Sequence, residues 1–149
     1  MKSFISTCTF LIVASCINPC LAQIRTIPQP VKDSFARHYP EADSVKFMDN
    51  VVNVHAMFVS NGERYNVTYN NKGQWKQTEK DWVFDKLDPE ILDGFKKSKY
   101  ADWKIKETTI VYLPGGGEEY RLKIAKTDLH KRYLFFNKDG RLLRETVTF

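Results

Sequence analysis

Cysteine is the residue this sequence most plainly lacks: three occur in 149 residues, Cys8, Cys16 and Cys20, with none further along. From Leu21 onward, disulfides, thiolate chemistry and cysteine-ligated zinc are excluded together, and stability has to come from packing. Histidine is equally sparse. His38, His55 and His130 have neither the i, i+4 nor the i, i+2 spacing of a local metal site. No serine sits in a Gly-x-Ser-x-Gly elbow, and no catalytic triad can be assembled from spacing. Gly115-Gly116-Gly117 lacks the Lys-Ser/Thr and the helix that a phosphate loop requires, so it is expected to be a hairpin tip. Asn137-Lys138-Asp139-Gly140 lacks the downstream glutamate of a calcium loop and is expected to be a turn. The carboxylates at Asp81, Asp85, Asp88 and Glu90 are expected to cap and solvate rather than act as an acid/base pair. These absences argue against an enzyme, and no cofactor or metal is expected.

Long hydrophobic runs are missing too. The apolar stretch Phe4–Ile17 is too short, and too broken by Ser and Thr, to span a bilayer. With the basic start at Lys2 and the small residues of Cys20-Leu21-Ala22, it has the layout of a secretory signal over residues 1–22, cleaved after Ala22. A rival reading takes Val13-Ala14-Ser15-Cys16 as a lipobox, with a lipid anchor at Cys16. Either way the chain is exported, to the periplasm or beyond. The formal charge of +5 is modest and suits a solvated basic surface, and nucleic acid is not an expected partner.

Two short helices can be placed. Pro28 and Pro30 suit a first helical turn. Val31, Phe35 and Tyr39 then form one stripe, and Pro40 ends the helix. The second helix has Asp88 as N-cap, Pro89 at its first position and Ile91 and Phe95 as its stripe. After each helix the period changes to two. Strands are predicted near 44–48, 52–59, 63–69 and 74–79, then near 104–112, 119–125, 131–136 and 141–147. Asn61-Gly62 is the strongest short hairpin signal.

The halves repeat one another. Ile27/Val31/Phe35 maps onto Leu87/Ile91/Phe95 at an offset of 60, and Val67-x-Tyr69-(x)3-Gly73-x-Trp75 maps onto Leu134-x-Phe136-(x)3-Gly140-x-Leu142 at an offset of 67. The expected fold class is therefore α+β, with two tandem helix-plus-four-stranded antiparallel sheet units at 23–83 and 84–149. The pattern Ile27-Pro28-(x)2-Val31-(x)3-Phe35-(x)3-Tyr39-Pro40-x-Ala42, followed by an aromatic hairpin and Gly73 before Trp75, resembles the PepSY-like family, which is similar to the beta-lactamase inhibitor protein. The second half departs at Lys99-Tyr100-Ala101, which lacks the proline, and at Pro114–Gly117. The resemblance implies a small exported protein with antiparallel sheet backed by helices, and a binding or inhibitory role. It carries over no functional residue.

What remains is surface. Leu134 and Phe136 correspond to the core pair Val67 and Tyr69, so Tyr133 and Phe135 should face away from the helices. Arg121 and Lys123, alternating with Tyr120, Leu122 and Ile124, should share that open face. These four residues are the expected binding site for an envelope or periplasmic protein. The alternative is a small-ligand or ion sensor or carrier with a helix–sheet pocket lined by residues such as Trp75, Trp82 and Trp103.

Overall fold

The structure, a computed structural model, describes residues 26–148. The expected signal segment, its expected cleavage site and Cys16 lie outside the described residues. Helix α1 spans Gln29–His38 and helix α2 Pro89–Lys96. The strands are β1 Asp43–Asp49, β2 Asn53–Ser60, β3 Glu63–Asn70, β4 Trp75–Trp82, β5 Lys104–Leu113, β6 Gly117–Ala125, β7 Lys131–Phe136 and β8 Leu142–Thr148. Short 3-10 turns at Phe84–Lys86 and Pro114–Gly116 join the elements on either side.

Local chemistry accounts for both helices. In α1 the prolines cost no hydrogen bond in the first turn, Val31 and Phe35 bury one stripe, and Tyr39 leaves the helix at φ −135°, as a residue before proline must. Asp88 occupies the N-cap of α2, yet its side chain makes no capping hydrogen bond. Its contribution there is charge near the positive end of the helix.

The eight strands form one antiparallel sheet in the order β1 to β8. This corrects the expectation of two tandem helix-plus-four-stranded units. β4 does not end a sheet: it pairs with β5 from Thr78↔Tyr112 to Trp82↔Thr108. Two separate sheets of this size would each expose an unpaired edge and bury too little apolar surface, and joining them removes both defects.

The register carries one face continuously across that join. Val67 pairs with Thr78 and Thr78 with Tyr112, so both halves place their core on the same side of the sheet. Under α1, Val31 and Phe35 pack on Val54, Ala56, Phe58, Val67 and Tyr69. Phe35 is the hub, with ring centroids 5.4–5.5 Å from Tyr39, Phe47 and Phe58. Under α2, Ile91 and Phe95 pack on Ile110, Tyr120, Leu122, Ile124, Leu134 and Phe136. Between the two clusters lies Lys80, whose ammonium is 2.6 Å from Glu63 and 4.3 Å from the Trp82 ring centroid. Burial disfavours its charge, but the Glu63 carboxylate and Tyr65 outweigh that and raise its pKa.

Each helix is seated against the last turn of its own half by a glycine. Gly73 (φ +77°) lies against the Pro30 backbone, and Gly140 (φ +74°) against the Glu90 backbone. At both sites a Cβ would overlap the carbonyl of the first helical turn, in a conformation that L side chains rarely adopt. Gly73→Ala and Gly140→Ala should therefore each destabilise the fold by about 2–4 kcal/mol in urea unfolding, from overpacking plus left-handed strain. Gly115→Ala, where the added carbon meets open space, should cost only about 1–2 kcal/mol.

Candidate functional site

Opposite the helices no described element covers the sheet face, and the register arranges its side chains in rows. One row runs from Arg64 and its ion-pair neighbour Asp81 through Thr109, Arg121 and Phe135 to Arg144. A second runs Met57, Asn66, Glu79, Val111 and Glu119. The structure brings the four expected site residues together on this face, because Arg121 pairs with Phe135 and Lys123 with Tyr133 across β6 and β7. All four are half-buried. Among the described residues no helix covers Tyr133 or Phe135; charged side chains lie against them instead. The Arg121 guanidinium sits 5.4 Å from the Tyr133 centroid, with the Lys123 ammonium at 5.8 Å. Arg144 stacks at 3.8 Å on Phe135.

Each of these cations also has a carboxylate. Arg121 donates both terminal nitrogens to Glu79 at 2.7 and 3.0 Å, and Arg144 does the same to Glu119 at 2.8 and 2.7 Å. Lys123 donates to Glu107 at 2.7 Å, and this bond leads the rise in its pKa. The Arg121–Glu79 side chains are only 24% and 17% exposed, and a bidentate pair so shielded holds its geometry better than a solvated one. The result is a diagonal lattice. Each arginine reaches a glutamate two strands back, across one intervening strand. Its charges cancel internally, and its guanidinium groups are held in place both by carboxylates and by the rings beneath them.

Arg144, Glu119, Glu79 and Glu107 were not anticipated. Alternation alone assigns each to a face, but pairing them needs the register between strands. Of the alternative pocket little converges: Trp75 packs with the α1 cluster, while Trp82 and Trp103 pack with the α2 cluster. Trp75 lines a small cavity of about 270 Å³ with His38 and Tyr39. His38 bonds the Tyr69 hydroxyl at 3.2 Å, and His55 is bonded by Asn50 and Thr68. Among the described residues no three His, Cys, Asp or Glu side chains form a metal-binding group.

The architecture is an antiparallel sheet with helices on one face and a paired polar–aromatic lattice on the other. No protein-family model matches the chain, and no curated protein matches it. Solved structures do. A DUF2874 family protein from Bacteroides ovatus is 30% identical, with a TM-score of 0.77 over 83% of this chain and 89% of that one. At that identity and coverage the chain belongs to the DUF2874 family. A protein from Bacteroides eggerthii, whose description assigns it provisionally to the periplasm, is 22% identical with a TM-score of 0.76 over 83% of this chain and 90% of that one. A protein from Bacteroides fragilis described as BLIP-like is 23% identical, also with a TM-score of 0.76, over 85% and 89%. The likeness to the Bacteroides fragilis protein gives the chain a BLIP-like fold.

On the helix side, two carboxylates are held below the usual range. For Glu145 the Tyr100 hydroxyl, at 2.6 Å, is the main cause, followed by Lys99. For Glu63 it is the bond from Lys80. A carboxylate depressed in the folded state stabilises above its ordinary value of 4.5 and loses that contribution as the pH falls through its lower folded value. Glu145→Gln should therefore lower Tm near pH 7, and its difference from the parent should close as the pH is taken below about 4.5. Tm measured against pH by circular dichroism checks this.

Proposed function

We propose that this chain is an exported periplasmic protein that acts by binding another envelope protein through the open sheet face, without enzymatic activity or cofactor. The observation that carries the reading is the lattice itself: Tyr133 and Phe135 held on an uncovered face by Arg121, Lys123 and Arg144, each already paired with a carboxylate. Aromatic and arginine side chains contribute most where binding energy concentrates, and fixing them beforehand lowers the ordering cost of association. The periplasmic description of the Bacteroides eggerthii protein and the BLIP-like description of the Bacteroides fragilis protein support export and a binding role. The narrower PepSY-like relation, with residues 1–22 as signal and 23–83 and 84–149 as two descendants of one unit, belongs to the same proposal.

The test is affinity capture from native envelope extract, using the mature protein and variants that leave the core untouched. A specific partner should be recovered by the parent, and its recovery should fall about tenfold or more with Tyr133→Ala or Phe135→Ala, as at a binding hot spot. Circular dichroism should show both variants folded. Recovery unaffected by either variant would remove the face from the interaction. Intact-mass measurement of the exported protein should give cleavage after Ala22; a lipid-bearing Cys16 would replace the ordinary signal with an anchor.

A further inference from the structure

The diagonal lattice stops at β4, and it stops on the wrong sign. Arg144 on β8 reaches Glu119 on β6, and Arg121 on β6 reaches Glu79 on β4. The next step would place a cation on β4 and an acid on β2. Those positions hold Asp81 and Met57. The face here opens into a cavity of about 530 Å³ whose wall includes Asp43, Met57, Val59, Arg64, Glu79 and Asp81. A bulge helps to shape its rim: Asp43 pairs with Val59 and Lys46 with Met57, leaving Ser44 and Val45 opposite Phe58, with Ser44 at φ +53°.

We propose that this cavity receives an arginine side chain of the protein that binds the open face; this rests on the reading above and names its anchor. Charge complementarity selects the occupant. Asp43, Glu79 and Asp81 bring three carboxylates, of which Glu79 is taken up by Arg121. Among the described residues Asp81 has only Arg64, at 3.5 Å, in a pair whose side chains are 64% and 80% exposed, so solvent screens it and a guest competes with it readily. Asn66, also in the wall, has a buried Oδ1 with no hydrogen-bond partner among the described residues, an acceptor left over for a donor. Met57 and the 55% exposed Val59 supply an apolar wall for the methylene stem. A guanidinium entering beside Asp81 restores the missing cation of the lattice, and its planar fork suits a carboxylate better than a point charge does.

The experiment uses the mature protein, isotopically labelled, titrated with Nα-acetyl-arginine methylamide and, in parallel, with the uncharged citrulline isostere. The arginine probe should shift the amide signals of Met57, Val59, Asn66 and Asp81 saturably, with a dissociation constant on the order of millimolar, as suits one side chain. Asp81→Asn, at an exposed position that leaves the core intact, should weaken it about tenfold, the scale of a hydrogen bond to a charged group. With Arg64→Ala, binding that is unchanged or tighter supports the proposal; loss of binding overturns it. Equal binding of the citrulline probe, or shifts centred elsewhere, also overturns it. The two readings separate in the capture assay. Partner recovery lost with Tyr133→Ala but kept with Asp81→Asn upholds the face and overturns the arginine anchor, whereas recovery lost with both upholds both.

Discussion

The pairing of β4 with β5 is the constraint on which the molecule depends. Five register pairs, Thr78↔Tyr112 to Trp82↔Thr108, turn two short meanders into one sheet. Because antiparallel neighbours keep their side chains on matching faces, that one join decides where everything else lies. It puts α1 and α2 on the same side, and among the described residues nothing covers the other side from β1 to β8. A slip of one residue at the join would send the core of one half to the face where the other half meets solvent.

The join also explains the central charges. On the helix side Lys80 sits in the seam between two apolar clusters that do not merge, and it is held by Glu63, Tyr65 and the Trp82 ring. A cation this shielded would be costly alone, so the carboxylate and rings are what make it tolerable there. On the open side Glu79 of β4 is claimed by Arg121 of β6 over the top of β5. The Arg121–Glu79 pair ties the two halves together on the open face, whereas Lys80 and its partners Glu63, Tyr65 and Trp82 all belong to β3 and β4 of the first half.

The elements themselves were legible. Val31/Phe35 and Ile91/Phe95 declare their helices by a spacing of four, and all eight strands lie within three residues of their expected limits. The placement of Arg121, Lys123, Tyr133 and Phe135 on one face followed from alternation against Leu122 and Leu134. The union of the sheets did not. β4 reads WKQTEKDW, with charges on both faces, and charge is what protects an edge strand. Its interior position becomes sensible only once Lys80 has Glu63 and Glu79 has Arg121, and the second of these lies 42 residues away. For the same reason Arg144 and Glu119 escaped notice: a diagonal pair across β7 is a property of register, which turn chemistry sets and a single strand's pattern does not contain.

The two faces answer different demands. The helix side supplies stability through dense apolar contact, so its residues, such as Leu134 and Phe136 with no exposed surface, tolerate little change. The open side contributes less to stability per residue, since part-solvated ion pairs are worth fractions of a kilocalorie to about 1 kcal/mol each. Its order is therefore more than the fold requires. Arg144, 3.8 Å over Phe135 while bidentate to Glu119, satisfies a ring and a carboxylate at once, and Arg121 does so for Tyr133 and Glu79. Under the proposed role that surplus order has a use: side chains already immobilised lose little entropy when a partner covers them, and charges already neutralised need no new counter-ion on burial. Where β4 and β2 place Asp81 diagonal to Met57, the described residues form no further bidentate pair, and Asp81 is left with the solvent-exposed Arg64 at 3.5 Å.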